Sequence, residues 1–463
     1  MSRKLLVLSA LALGLIVPAS AKTYTREEAV KTAMDNSAEI KNAEESVVQA
    51  ASQVDGGYGA AYPSLDLSAG ITRYFGRDDV VTGTPVSNAA ANPILGASVF
   101  DKTVIAPAAD QILNALQAQG YRWQSNVGLT LTQILYAQGK IGTGVDIAKA
   151  YKLGEEVKLE QAKETVRYNV ENAFDELVVL DSSMVIYEES IELTTAHYEN
   201  AKQSFESGMG KELDKIRAEL ALDKLKSEYE QKKKLRVLAR NNLLNTMGLE
   251  WDSDVQFTGE LRSPDSNLPF PDTAMANVLK RRKEIAYLKA KEDMASKNID
   301  IEEADYKPLV TLTGRLGYNN NQNEITEWDA PKWKKLNKSI SLNLSMNLFK
   351  GFQTREKVTQ AKSTLRTIQI TKENTERALR MQIEACVNTL EDAQTQLELQ
   401  KRQIELSAKN YDLTNASYQV GRETQVNLLN ANVELREAKV KYMQAMLNWN
   451  KAYNALLQAT GEY

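Results

Sequence analysis

Two rhythms alternate along this chain. In the first, apolar or small residues recur every 3.5 positions. Val166, Val170, Ala173, Leu177, Leu180, Met184, Tyr187, Ile191, Thr194, Tyr198, Ala201 and Phe205 keep a strict four-three spacing. Leu379, Ile383, Cys386, Leu390, Ala393, Leu397, Gln400, Ile404, Ser407, Tyr411, Thr414 and Tyr418 repeat it, and Ala431 to Leu456 returns with the same beat. Such a period predicts long helices packed along a coiled-coil seam. A helix over residues 140–204 would be about 98 Å long at about 1.5 Å per residue. The corresponding return helix in the first copy is poorer, with Lys232 and Arg236 on the seam. The other rhythm has a period of two and predicts strands. Leu65, Leu67, Ala69 and Ile71 alternate with polar or small residues, as do Val127, Leu129 and Leu131, Val310 and Leu312, and Ile340, Leu342, Leu344, Met346 and Leu348. Runs of roughly 9–11 residues suit strands that cross a bilayer at a tilt. Tyr62, Tyr136, Tyr306 and Phe349 flank them at one end, Tyr74, Phe75 and Tyr318 at the other, as interfacial girdles would. A soluble sandwich with one wet face would show the same alternation.

The pattern occurs twice. Residues 129–248 lie over 342–461 at an offset of 213 without a gap: Leu129, Leu131 and Leu135 meet Leu342, Leu344 and Leu348, Tyr198 meets Tyr411, and Gly208 meets Gly421. Upstream the offset is 245, since Glu39-Ile40 and Pro63 match Glu284-Ile285 and Pro308. The difference assigns 32 extra residues to the region between about 75 and 127, a loop expected from about Gly76 to Asn126 whose shorter counterpart runs from Asn319 to Lys338. Each copy reads helix, strand, loop, strand, long helix, tight turn, long helix, with repeats over 22–250 and 251–463. The first helix opens on a capping box, Thr25-Arg26-Glu27-Glu28.

The N-terminus changes the compartment. Met1-Ser2-Arg3-Lys4 is basic, Leu5 to Val17 is apolar apart from Ser9, and Ala19-Ser20-Ala21 is a small-x-small cleavage site, so residues 1–21 read as a secretory signal peptide. The apolar run is too short for a span. Loss of Arg3 and Lys4 takes the net charge from −4 to −6, which argues against nucleic acid as a partner. No later stretch could be a transmembrane helix, so membrane insertion would have to use β-strands. Four strands leave two open edges, which demands an oligomer.

With these features the chain resembles the TolC-like outer-membrane efflux proteins. The resemblance rests on Tyr24-Thr25-Arg26-Glu27-Glu28-Ala29-Val30, Pro63-Ser64-Leu65-Asp66-Leu67, Leu348-Phe349-Lys350-Gly351, and two helical turns, Phe205-Glu206-Ser207-Gly208-Met209 and Tyr418-Gln419-Val420-Gly421-Arg422. It implies a mainly α fold with a transmembrane β-barrel: a homotrimer closing 12 strands above a periplasmic helical tunnel. It further implies a passive outer-membrane exit duct for efflux or secretion, joined by a periplasmic adaptor to an inner-membrane transporter and bathed in outer-membrane lipid. Gly208, Met209, Gly421 and Arg422 would form adaptor-contacting tips. The family also places acidic residues shortly after the inner turn glycine, as a pore constriction. Six and nine residues past Gly421 stand Asn427 and Asn430, and the same count from Gly208 gives Asp214 and Arg217, able to pair locally. Tyr418 is expected to hydrogen-bond Asp214. The rival reading is a periplasmic coiled-coil scaffold or adaptor without a barrel.

No enzyme site assembles. With one His and one Cys, zinc and disulfide frameworks are excluded, and a catalytic triad would rest on His197 alone. His197 is expected to be solvated and Cys386 to be a packed thiol. Gly208-Met209-Gly210-Lys211 has Glu212 where a phosphate loop needs Ser or Thr, Gly56-Gly57-Tyr58-Gly59 reads as a helix break, and Lys232-Lys233-Lys234 as a solvated face. No cofactor is expected.

Overall fold

The structure is a computed structural model describing residues 22–75, 122–251, 255–264, 270–322 and 336–463. Its elements run β1 (Lys22–Tyr24), α1 (Arg26–Asn36), α2 (Ala38–Gly59), β2 (Ser64–Arg73), β3 (Trp123–Tyr136), α3 (Lys140–Glu206), α4 (Glu212–Thr246), β4 (Val255–Phe257), α5 (Met275–Arg281), α6 (Lys283–Glu303), β5 (Leu309–Gln322), β6 (Asn337–Ser345), α7 (Gln353–Gln419) and α8 (Gln425–Thr460). Residues 1–21, where a signal peptide is expected, lie outside the described residues. Two compact units emerge, one of Met1–Ala51, Ala150–Asp293 and Leu365–Tyr463, the other of Ser52–Lys149 and Met294–Thr364.

The first unit is helical. The 3.5-residue stripe is its interior: Val166, Val170, Ala173, Leu177, Tyr187 and Ala201 of α3 are buried, as are Leu379, Ile383, Leu390, Leu397 and Tyr411 of α7 and Ala431, Ala438, Ala445, Trp449, Ala452 and Leu456 of α8. Tyr24, Ala29, Ala33 and Ile40 pack with Val166, Phe174, Leu177, Leu243 and Met247 into one cluster. The capping box forms, with Thr25 N donating to Glu28 Oε2 at 2.9 Å and Glu28 N donating to Thr25 Oγ1 at 3.3 Å. The polar seam of α4 is also accounted for, because Arg236 forms an ion pair with Asp181 of α3. Cys386 is partly buried beside Ile383 and Leu390, and burial raises its thiol pKa.

Both ends of the duplication share a backbone device. The amide of Ser37 at the end of α1 donates to Ala33 O, and that of Arg282 at the end of α5 donates to Val278 O. Against these breaks sit Gly248 (φ +72) and Gly461 (φ +70). A Cβ on Gly248 would lie 2.5 Å from the Asn36 carbonyl oxygen, whereas one on Gly421 (φ +73) would meet nothing within 4 Å. Left-handed backbone alone costs an L residue roughly 1–2 kcal/mol. Gly421→Ala should therefore cost about that, and Gly248→Ala visibly more, because backbone has to move. Parallel thermal melts check the difference.

The second unit carries a four-stranded antiparallel sheet in the order β2-β3-β5-β6. Register places Leu65 opposite Leu131, Leu131 opposite Gly314, and Gly314 opposite Ile340, so alternate positions gather on one apolar face. That face is bare: Leu67 is 71% exposed, Ile340 83% and Leu344 71%. The junctions to the long helices are pinned by an ion pair between Lys140 and Asp305 and by Gln138 donating to Lys307 O.

Two expectations need correction. The strands extend beyond the apolar band, since β3 starts at Trp123 and β5 reaches Gln322, so Asn319–Gln322 is strand rather than loop and Asn321 pairs with Gln124. An asparagine run resembles loop composition, yet a ladder continuing into water suits such residues equally well. Most of the long loop, including residue 88, falls outside the described residues. Tyr318 is buried in the sheet instead of standing at its rim, at 4% exposure. Trp123 and Phe75 flank the Arg73 guanidinium there, with ring centroids 5.3 and 4.7 Å away.

Candidate functional site

The tips of the two helical hairpins follow from their glycines. In the first, Gly208 has φ +72, Met209 N donates to Ser204 O at 2.9 Å, and Gly210 N donates to the same oxygen at 2.8 Å. In the second, Gly421 N donates to Tyr418 O and Arg422 N to Ser417 O, both at 2.9 Å. These bonds satisfy the last carbonyls of α3 and α7 while a left-handed glycine turns the chain. Met209 is 85% exposed, and Arg422 is exposed as well, so both tips offer side chains to solvent.

The predicted gate residues separate into pairs. Asp214 lies in the first turn of α4 and influences Tyr418, whose hydroxyl pKa is raised first by burial and then by the nearby carboxylate. No hydrogen bond joins Tyr418 to Asp214 and no ion pair joins Asp214 to Arg217 among the described residues, contrary to expectation. Arg217 instead lines a groove of about 320 Å³ with Ala221, Leu225, Val426, Asn430 and Arg436. Asn427 is exposed, and its Nδ2 donates to Glu423 Oε2 at 2.7 Å. Thr424 caps α8 by accepting from Asn427 N at 3.3 Å. Glu423 went unnoticed in the sequence; its place four residues before Asn427 was the available signal.

His197 corrects a second expectation. It is half-buried rather than fully solvated, with Nε2 3.4 Å from the hydroxyl of Tyr411 on the other hairpin. Close by, buried Asn432 of α8 donates to Thr194 Oγ1 at 3.1 Å. Burial lowers the His197 pKa below the usual imidazole value and raises that of Tyr411, with Asp412 adding to the latter. A depressed histidine pKa means that the native state prefers the neutral ring, so its stabilisation is present above the unfolded pKa of about 6.5 and lost as pH falls through the lower native value. The melting temperature should thus fall between pH 7.5 and 5, and part of that fall should vanish in His197→Gln. Identical pH profiles for the two proteins would contradict the packing role.

The polar face of the sheet is the other candidate surface. Opposite the leucines stand Ser64, Ser68, Thr130, Thr132, Thr311, Thr313, Ser339, Ser341, Asn343 and Ser345, by the same register. No described helix is long and apolar enough to cross a membrane. No group of three or more potential metal ligands occurs among the described residues.

Solved structures share this architecture. The chain is similar to the outer membrane protein VceC of Vibrio cholerae, with TM-score 0.69, 15% identity, and coverage of 94% of this chain and 96% of that one. It is similar to the CmeC outer membrane channel of Campylobacter jejuni, with TM-score 0.72, 17% identity and coverage of 94% and 85%. It also resembles the open state of the MtrE outer membrane channel of Neisseria gonorrhoeae, with TM-score 0.70, 16% identity and coverage of 94% and 88%. At such identities the likeness is one of fold. No curated protein matches by sequence. The family profile described as outer membrane efflux protein matches residues 29–249 and again 274–462, which together cover most of the sequence. The chain belongs to the outer membrane efflux protein family.

Proposed function

We propose that this protein is a passive exit duct of the outer membrane, acting in efflux or secretion. The observation that carries the reading is the two-faced sheet. Leucines on one side are exposed to an extent that water would penalise heavily and lipid would welcome, and hydroxyls and amides cover the other side. Four strands with open edges at β2 and β6 cannot stand alone in hydrocarbon. Copies of the chain close them, three giving a 12-stranded barrel. The two repeats, 22–250 and 251–463, each supply two strands and one helical hairpin. Helices α3 and α7, at 67 residues each, are about 100 Å long and form the periplasmic tunnel. The duct performs no chemistry. An inner-membrane transporter drives the cargo, and a periplasmic adaptor meets the tips at Gly208, Met209, Gly421 and Arg422.

The gate of this duct is polar and weakly charged. Asp214, Arg217, Tyr418, Asn427 and Asn430 line it, with amides where relatives of this family carry acids. Planar-bilayer recording of the purified protein tests both claims. Discrete conductance steps are expected, with little block by a trivalent cation added on the tip side. Asn427→Asp with Asn430→Asp should create strong block, because six carboxylates in a trimer concentrate negative potential in a narrow passage. Strong block of the unaltered channel that survives Asp214→Asn would refute this gate.

A further inference from the structure

The register of the sheet sets two charges in one row. Asp66 pairs with Thr130, Thr130 with Arg315, and Arg315 with Ser339, so all four share the polar face. The row on one side is Ser64, Thr132, Thr313 and Ser341; on the other it is Ser68, Gly128, Gly317 and Asn337. Among the described strand residues on this face, Asp66 and Arg315 are the charged ones. Both are exposed, and neither makes an ion pair among the described residues; Asp66 accepts a bond from Ser64 Oγ at 3.3 Å. The glycines at 128 and 317 leave the Arg315 side chain free of bulky neighbours in the adjacent row. Two strand spacings, about 10 Å, separate the two charges, close to the Debye length of roughly 8 Å at physiological salt. Their fields therefore overlap without a direct contact.

An unpaired arginine and an unpaired aspartate inside a membrane-spanning sheet belong on the water-filled side. Repeating the strand order β2-β3-β5-β6 around a closed wall places Asp, Thr, Arg and Ser in turn, so the sign of the charge alternates at every second strand. We infer that Asp66 and Arg315 form a charge-compensated belt on the lumenal wall that keeps the barrel from sorting solutes by the sign of their charge. This rests on the duct reading above. The cargo class it fits is broad in charge, cationic and anionic alike.

Removing one member unbalances the belt and leaves rings of like charge, the arrangement by which pores select ions. The test is the reversal potential of the purified full-length channel in a potassium chloride gradient. Arg315→Gln should raise the potassium-to-chloride permeability ratio by at least about twofold, and Asp66→Asn should lower it by a similar factor. The double variant should return to the unaltered value, and Arg315→Lys should keep it throughout, which separates charge from folding. Unmoved potentials in both single variants, or shifts of the same sign, would overturn the belt while leaving the duct intact. Absence of conductance from the unaltered protein would instead overturn the duct reading, and the belt with it.

Discussion

Asp175→Ala should cost about 3–5 kcal/mol of stability, the usual consequence of removing one partner from a buried ion pair. Asp175 has no exposed surface and is paired with Arg26, which also donates to Glu260 O at 3.0 Å. Beside it Arg262 donates to Glu171 Oε2 at 2.7 Å and to Asn454 Oδ1 at 2.6 Å. Asn450 closes on the backbone of Arg262 from both sides, accepting from its amide at 3.1 Å and donating to its carbonyl at 3.0 Å. Tyr463 adds a hydroxyl 3.4 Å from Glu171. The network fastens the segment between the two repeats to α3 and α8. Burial pushes the Asp175 carboxyl upward while Arg26 and Arg262 pull it back, so its charge is tolerated only because both guanidinium groups are in place. Alanine strands Arg26, whose Nε is already buried without a partner. Thermal unfolding in detergent, followed by circular dichroism, reads the loss. Asp175→Asn should fall between, since it keeps an acceptor for Asn454 Nδ2, which donates to Asp175 Oδ2 at 3.5 Å, and loses the charge. Equal stability of all three proteins would show that the network is dispensable.

A second large effect is expected in the sheet. Ile340, in the middle of the sheet, pairs with Gly314 on the apolar face and Ser341 with Thr313 on the polar one. Arginine at a lipid-facing midplane position costs about 2–4 kcal/mol, while a wet lumenal position tolerates it. Ile340→Arg should sharply reduce the recovered oligomer; Ser341→Arg should spare it and mainly alter conductance. Equal loss from both would mean that the two faces are not lipid and water.

Much of this was legible because both rhythms are governed by burial on one face. The seam from Val166 to Phe205 needs only a period of 3.5 to be recognised, and its outcome is a helix ending at Glu206. Leu342 and Leu344 likewise declare their face by alternation. Strand ends were less legible. Asn319 to Gln322 form a ladder whose hydrogen bonds are backbone ones, and side-chain type carries little trace of them. His197 was misread because its partner Tyr411 lies 214 residues away, and its own neighbours, Ala196 and Glu199, suggest only a polar helix surface. The Arg26–Asp175 and Arg262–Glu171 pairs escaped notice for the same reason. The proposed gate residues on α4 and α8 follow from counting past the turn glycines. Counting locates them but says nothing of their bonding: Arg217 lines a groove with Asn430 and is not paired with Asp214 among the described residues.

The central claim, that copies of this chain close a barrel in the outer membrane, is tested most directly by cell fractionation followed by gel migration with and without heating. Closed barrels hold their strand ladders in mild detergent because every backbone group in the wall is paired. The account predicts recovery with the outer-membrane fraction, a slowly migrating oligomer in unheated samples, and collapse to a single chain on boiling. Recovery as a soluble periplasmic monomer, with the same migration heated or unheated, would contradict it.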